Sequence, residues 1–151
     1  MRMTKKKMTN ETELYENPWI YEGGAVLGAP EEFYGFIYLI TNKKSGKKYI
    51  GKKFYYSRVT KPPLKGKTRK RRSVKESDWK TYYGSNKELE QDIAQLGTEN
   101  FSREIIRLCK SRGATNYWEA KYQFQYNVLE DTNYYNDWIM IKTHRKHIKE
   151  D

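Results

Sequence analysis

Two tyrosines, Tyr38 and Tyr49, stand eleven positions apart in the stretch Gly35-Phe36-Ile37-Tyr38-Leu39-Ile40-Thr41-Asn42-Lys43-Lys44-Ser45-Gly46-Lys47-Lys48-Tyr49-Ile50-Gly51. A phenol hydroxyl both donates and accepts hydrogen bonds, so a tyrosine on each of two neighbouring strands presents a pair of such groups. The charge beside them is heavily biased. Between Lys43 and Lys80 lie sixteen Lys/Arg and only two acids, Glu76 and Asp78, an excess larger than the whole-chain net of +11. The remainder of the chain is therefore net negative. Paired tyrosines next to a strong positive field point to chemistry on a phosphate backbone. Phosphodiester hydrolysis needs an activated water, neutralisation of the non-bridging oxygens and help for the leaving oxygen. An unperturbed tyrosine has a pKa near ~10, so a phenol acting as a base needs cationic neighbours. Lys47, Lys48, Lys52 and Lys53 are close enough in sequence to be those neighbours.

The elements that must position these groups follow from pattern. Residues 1–32 are polar and broken by Asn17-Pro18, Gly23-Gly24 and Ala29-Pro30, and read as an N-terminal arm pinned to the body by Trp19, Ile20 and Tyr21. Phe33 to Thr41 and Lys47 to Phe54 read as strands, joined by a turn over Asn42 to Gly46. Thr60 to Val74 holds Pro62-Pro63, Gly66 and the cluster Arg69-Lys70-Arg71-Arg72 without any amphipathic period. It is expected to be a basic loop within an insertion spanning about 55–78, mobile without its ligand. Ser85 or Asn86 can cap a helix over Lys87 to Leu96, with Leu89, Ile93 and Leu96 on its apolar face and Gly97 at its end. Phe101 to Cys109 alternates as a third strand, and Thr115 to Val128 reads as a second helix capped by Thr115 or Asn116. The basic tail, 138–151, carries His144-Arg145-Lys146-His147. This order predicts a small α+β domain with a central antiparallel three-stranded sheet flanked by helices and a basic insertion after the second strand.

Composition narrows the classes. Hydrophobic residues make up 36% of the chain and mean hydropathy is −1.07, so the core is expected to be modest. With 14 Tyr and 4 Trp it is also expected to be aromatic. A single cysteine, Cys109, excludes an internal disulfide framework and favours a reducing compartment. Its apolar neighbourhood predicts a buried thiol rather than a nucleophile. Met1 to Lys7 is charged and lacks the apolar centre of a secretory signal, and no long apolar span accompanies the charge. The expected location is the cytoplasm.

Ile37-Tyr38 and Tyr49-Ile50-Gly51 resemble the signature of the GIY-YIG nucleases. The resemblance extends through Gln95-Leu96-Gly97-Thr98-Glu99-Asn100-Phe101 and Glu104-Ile105-Ile106, similar to the helix-to-strand passage of such domains, and covers roughly residues 33–137. Phage-type members, with homing- or restriction-like roles, are the most similar, which implies the cytoplasm of the host cell if the chain is phage-encoded. The resemblance implies a metal-dependent endonuclease acting on double-stranded DNA, with Tyr38 and Tyr49 handling the water. Glu119 corresponds to the family's metal-binding glutamate, and Tyr135-Asn136 follows where the family carries a late asparagine; Asn133 is the competing choice. Mg²⁺ is the implied cofactor, with Mn²⁺ as a substitute, because one carboxylate suffices for an ion that keeps most of its waters.

Departures from the pattern set the questions. Phe36 precedes Ile37 where the family has glycine, although Gly35 lies one residue earlier. The family's arginine follows the second motif on a helix, often with a histidine one turn later. Arg58, seven residues after Gly51, is the nearest match, with no histidine after it and Pro62-Pro63 interrupting any helix. Lys53, Arg72 and Lys80 are rival cations. Lys53, Arg72 and Lys80, together with Lys52, Lys65, Lys67, Arg69, Lys70 and Arg71, are also expected to hold nucleic acid. His144 and His147 are expected to touch DNA as part of the tail rather than to bind zinc. A DNA- or RNA-binding module that has lost catalysis would keep the basic stretch and have no use for Glu119.

Overall fold

The computed structural model describes residues 14–148. The charged start Met1–Lys7, the beginning of the expected arm and the last three residues of the tail lie outside the described residues. The chain is α+β, with strands β1 (Ile20–Tyr21), β2 (Gly24–Ala25), β3 (Gly35–Asn42), β4 (Lys48–Phe54), β5 (Tyr56–Lys61) and β6 (Arg71–Glu76), helix α1 (Lys87–Leu96), strand β7 (Phe101–Cys109) and helices α2 (Arg112–Gln125) and α3 (Arg145–Ile148).

The main sheet has five strands in the order β2-β1-β7-β3-β4. The expected sheet had three. β3 pairs antiparallel with β4 and β7 as anticipated, and β1 adds in parallel to β7 with β2 beyond it. Strands of two residues carry no alternation, so no period could announce them. β3 is an interior strand, between β7 and the edge strand β4, and both its faces are covered. Phe36, Tyr38 and Ile40 enter an aromatic cluster with Trp19, Tyr55 and Trp79. Ile37 turns the other way, toward Ile50, Cys109 and Ala114 beneath α2. Cys109 is buried, as its apolar setting required.

Trp19 is fully buried and its Nε1 donates to the Trp79 carbonyl at 2.7 Å. Arg103 on β7 fixes the same N-terminal segment. Its guanidinium donates to the carbonyls of Asn17 and Tyr82, and stacks on Trp19 (4.6 Å) and Tyr83 (4.2 Å). A buried charge satisfied by several carbonyls is a rigid tie between distant segments.

The basic stretch is not a loop. β5 and β6 form a separate two-stranded antiparallel sheet, with Tyr56 opposite Glu76 and Lys61 opposite Arg71. Both faces are polar, so no alternation marked it in the sequence. The second helix starts at Arg112 rather than Thr115, because Ser111 is the cap: its Oγ accepts from Ala114 N at 3.0 Å. Among the described residues no helix is long and apolar enough to cross a membrane.

Candidate active site

β3 and β4 lay Tyr38 and Tyr49 side by side, with ring centroids 6.1 Å apart. Tyr38 pairs with Gly51 across the ladder, and its ring lies directly over that glycine. A Cβ at position 51 would stand 2.5 Å from the Tyr38 hydroxyl oxygen and 3.0 Å from Tyr49 Cε2. The glycine of the second motif is thus the space the two phenols occupy. Tyr38 is 1% exposed. Tyr49 is half-buried, and its hydroxyl lies 3.4 Å from Ser85 Oγ.

Helix α2 packs across β4 and brings Glu119 over Lys52, Oε1 to Nζ 3.1 Å. One turn on, Gln123 Nε2 donates to the Ile50 carbonyl at 2.9 Å. Asn136 binds the same residue twice: its Oδ1 accepts from Ile50 N at 3.1 Å and its Nδ2 donates to Ile50 O at 2.8 Å. β4 is an edge strand, and these side chains satisfy its outer backbone groups. Asn136 is buried with both amide atoms committed to the backbone. Asn133, the alternative, sits in an exposed turn whose carbonyl accepts from Lys48 N.

Tyr49, Lys52, Ser85 and Glu119 line two adjoining depressions, and so form the centre of one cleft. Toward the tail the cleft is walled by Asn86, Gln123, Asp137, Trp138 and Met140. Toward the ribbon it is walled by Lys53, Tyr56, Arg58, Tyr82 and Arg112, a cationic side. Of the sequence candidates, Tyr38, Tyr49, Glu119, Lys52, Lys53 and Arg58 meet here. Lys65, Lys67, Arg69, Lys70, Arg71 and Arg72 lie exposed on the ribbon and its tip. Lys80 stands elsewhere, with its Nζ over the rings of Tyr15 and Trp79.

Arg112 was missed because the helix start was placed three residues late. It stacks on Phe54 at 4.2 Å and donates to the Tyr34 hydroxyl at 3.4 Å. Its buried Nε has no hydrogen-bond partner, and no carboxylate pairs with it among the described residues.

The electrostatics differ from the sequence expectation. Lys47, Lys52 and Lys53 are committed to Glu88, Glu119 and Asp78, so they do not lower the tyrosines. Burial pushes the Tyr38 phenol well above its ordinary range. Burial also raises Tyr49, with Ser85 offsetting part of the effect. Burial raises the Glu119 carboxyl, and Lys52 draws it partly back. Both phenols are therefore protonated at neutral pH and present hydroxyls rather than phenolates. Among the described residues no three His, Cys, Asp or Glu side chains gather as a metal cage. The half-buried Glu119 carboxylate in an open cleft, with the exposed Asp137 on the wall, nevertheless suits an ion that retains waters and takes its other ligands from a phosphate.

A family model described as "Putative endonuclease segE, GIY-YIG domain" matches residues 19–139. That span includes Trp19, both tyrosines, the ribbon, Glu119 and Asn136. No curated protein and no solved structure matches the chain.

Proposed function

Because the chain belongs to the segE-type GIY-YIG endonuclease family, we propose that it hydrolyses DNA phosphodiester bonds with the help of a divalent metal, at the cleft between β4, α2 and the ribbon. The observation that carries this reading is the meeting of Glu119 and Tyr49 in a cleft whose far wall is cationic.

Glu119 would hold the metal, Mg²⁺ or Mn²⁺ in its place. Such an ion, when bound, supplies Lewis-acid stabilisation to the scissile phosphate and the leaving oxygen. The protein groups do the rest. Tyr49, held near Ser85, orients the water through its hydroxyl. Tyr38 is too buried to reach solvent and acts as a positioning residue behind Gly51 and Tyr49. Arg58 and Arg112 neutralise the phosphate from the ribbon side. Neither guanidinium has a carboxylate partner, unlike Lys52 and Lys53, and a guanidinium is the better bidentate ligand; the buried, unpartnered Nε favours Arg112 over the exposed Arg58. Asn136 and Gln123 hold the β4 edge in place. Lys52 keeps the Glu119 carboxylate oriented, and Lys53 flanks the cleft. Lys65, Lys67, Arg69, Lys70, Arg71 and Arg72 grip the DNA backbone beyond it.

The test is nicking of supercoiled plasmid in Mg²⁺. Glu119→Gln and Tyr49→Phe are each expected to lower cleavage by roughly 100-fold or more while leaving DNA affinity within a factor of about two. A wild-type protein that binds DNA but leaves plasmid supercoiled across several divalent metals would instead be a binding module.

A further inference from the structure

The ribbon formed by β5 and β6 has three properties that a structural hairpin does not need. First, beyond Tyr56 at its root, which packs on the aromatic cluster, the ribbon lays neither face on the core. β5 and β6 form a sheet of their own, and most of their residues and the whole tip from Pro62 to Lys70 are exposed. An isolated two-stranded ribbon in water is marginal by itself. Second, its charge is unopposed. Nine cations lie between Tyr56 and Glu76 with Glu76 as the only acid. None of the nine pairs with a carboxylate among the described residues, and Glu76 is occupied by Trp79 Nε1 at 2.7 Å. Third, its root is fixed. Tyr55 is buried against Trp79, with ring centroids 5.0 Å apart. Tyr55 N donates to the Tyr34 carbonyl, and Ser77 donates from both N and Oγ, to the carbonyls of Tyr55 and Phe54. A stiffly rooted, cationic strand pair is thus held out into solvent.

Its placement relative to the cleft says what it meets. Tyr56 and Arg58 line the cleft beside Glu119. Further along the same face, Thr60 pairs with Arg72, and these two with Arg69 and Lys70 surround a second, cationic depression. From Tyr56 to Thr60 the strand advances about 13 Å. A duplex whose phosphate sits at Glu119 therefore meets this face roughly four base pairs from that phosphate, at a rise of about 3.4 Å per pair. The major groove of B-form DNA, about 12 Å wide, admits a two-stranded ribbon; the deep, narrow major groove of an A-form RNA duplex does not.

We propose that the β5–β6 ribbon seats in the major groove of B-form duplex DNA to one side of the cleft. This rests on the nuclease reading for its register to the cut, but the groove contact itself is a binding property that can be measured without cleavage.

The experiment uses the full chain in EDTA, with binding to a DNA duplex of about two helical turns followed by anisotropy. Methyl green, which fills the major groove, is expected to weaken binding by roughly tenfold or more, and netropsin, a minor-groove ligand, by less than about twofold. The DNA duplex should be preferred over an RNA duplex of the same sequence by roughly tenfold. A shortened variant, with residues 61–71 replaced by an Asn-Gly turn between the paired Thr60 and Arg72, should lose both preferences. Loss of charge alone lowers affinity for both duplexes and leaves these ratios unchanged, and circular dichroism confirms that the body is folded. Competition by netropsin rather than methyl green, or equal affinity for the DNA and RNA duplexes, overturns the proposal. Plasmid nicking separates the two claims. A protein that nicks yet ignores methyl green defeats the ribbon proposal alone, and one that shows the groove signature without nicking defeats the nuclease reading alone.

Discussion

At the scale of single residues, the cleft depends as much on what is absent as on what is present. Gly51 leaves the space in which Tyr38 and Tyr49 stand. Gly51→Ala is expected to displace both rings, cost about 1–3 kcal/mol of stability and depress cleavage far more than binding. Urea melts alongside nicking rates check this, and a variant that cuts normally would contradict the packing argument. The meeting of Tyr38, Tyr49 and Glu119 in one cleft was legible in the sequence because their types and order are distinctive. The state of the phenols was not. Sequence proximity offered four lysines, but proximity does not say which carboxylate each lysine meets, and three of them are taken by Glu88, Glu119 and Asp78. Arg112 was hidden for a different reason: the serine that caps its helix stands among other plausible caps.

At the scale of elements, the edge of β4 is the weak line of the sheet. Asn136 and Gln123 close it at Ile50. Asn136→Ala leaves the Ile50 amide without its partner and is expected to cost about 1–3 kcal/mol. Hydrogen exchange at Ile50 should speed up well before exchange at the centre of β3. Equal protection at both strands would show that the clamp is dispensable. The long elements could be read from the sequence because their periods run over seven or more residues: the β3–β4 hairpin, α1 and β7 lie within a residue or two of expectation. β1 and β2 are too short to carry a period. β5 and β6 have none, since a ribbon bathed in solvent on both faces has no apolar side to reveal.

At the scale of the molecule, the aromatic core makes the fold sensitive to alkali. Burial raises the phenols of Tyr38 and Tyr55. Tyr135, buried and hydrogen-bonded to Asp92, is pushed up to about 12. A phenol whose folded pKa lies above its unfolded value stabilises the fold fully below about pH 10, and that contribution fades as pH rises through the folded value. Stability measured by urea is therefore expected to fall between about pH 10 and 12, with a shallower fall in Tyr135→Phe. A flat profile over that range would contradict the buried phenols. The α+β class was legible at this scale, whereas the weld of the N-terminal segment was not, because Arg103 reaches its carbonyl partners across more than eighty residues.

That weld bears on when the enzyme first exists. During synthesis, Glu16 and Asn17 leave the ribosome early and wait for Arg103, whose guanidinium they receive. Tyr38 and Tyr49 likewise wait for Glu119 and then for Asn136. A nascent chain halted before α2 carries the basic ribbon and both tyrosines but no carboxylate at the cleft and no clamp on β4. On the proposed reading, the incomplete polypeptide would hold nucleic acid without being equipped to cut it.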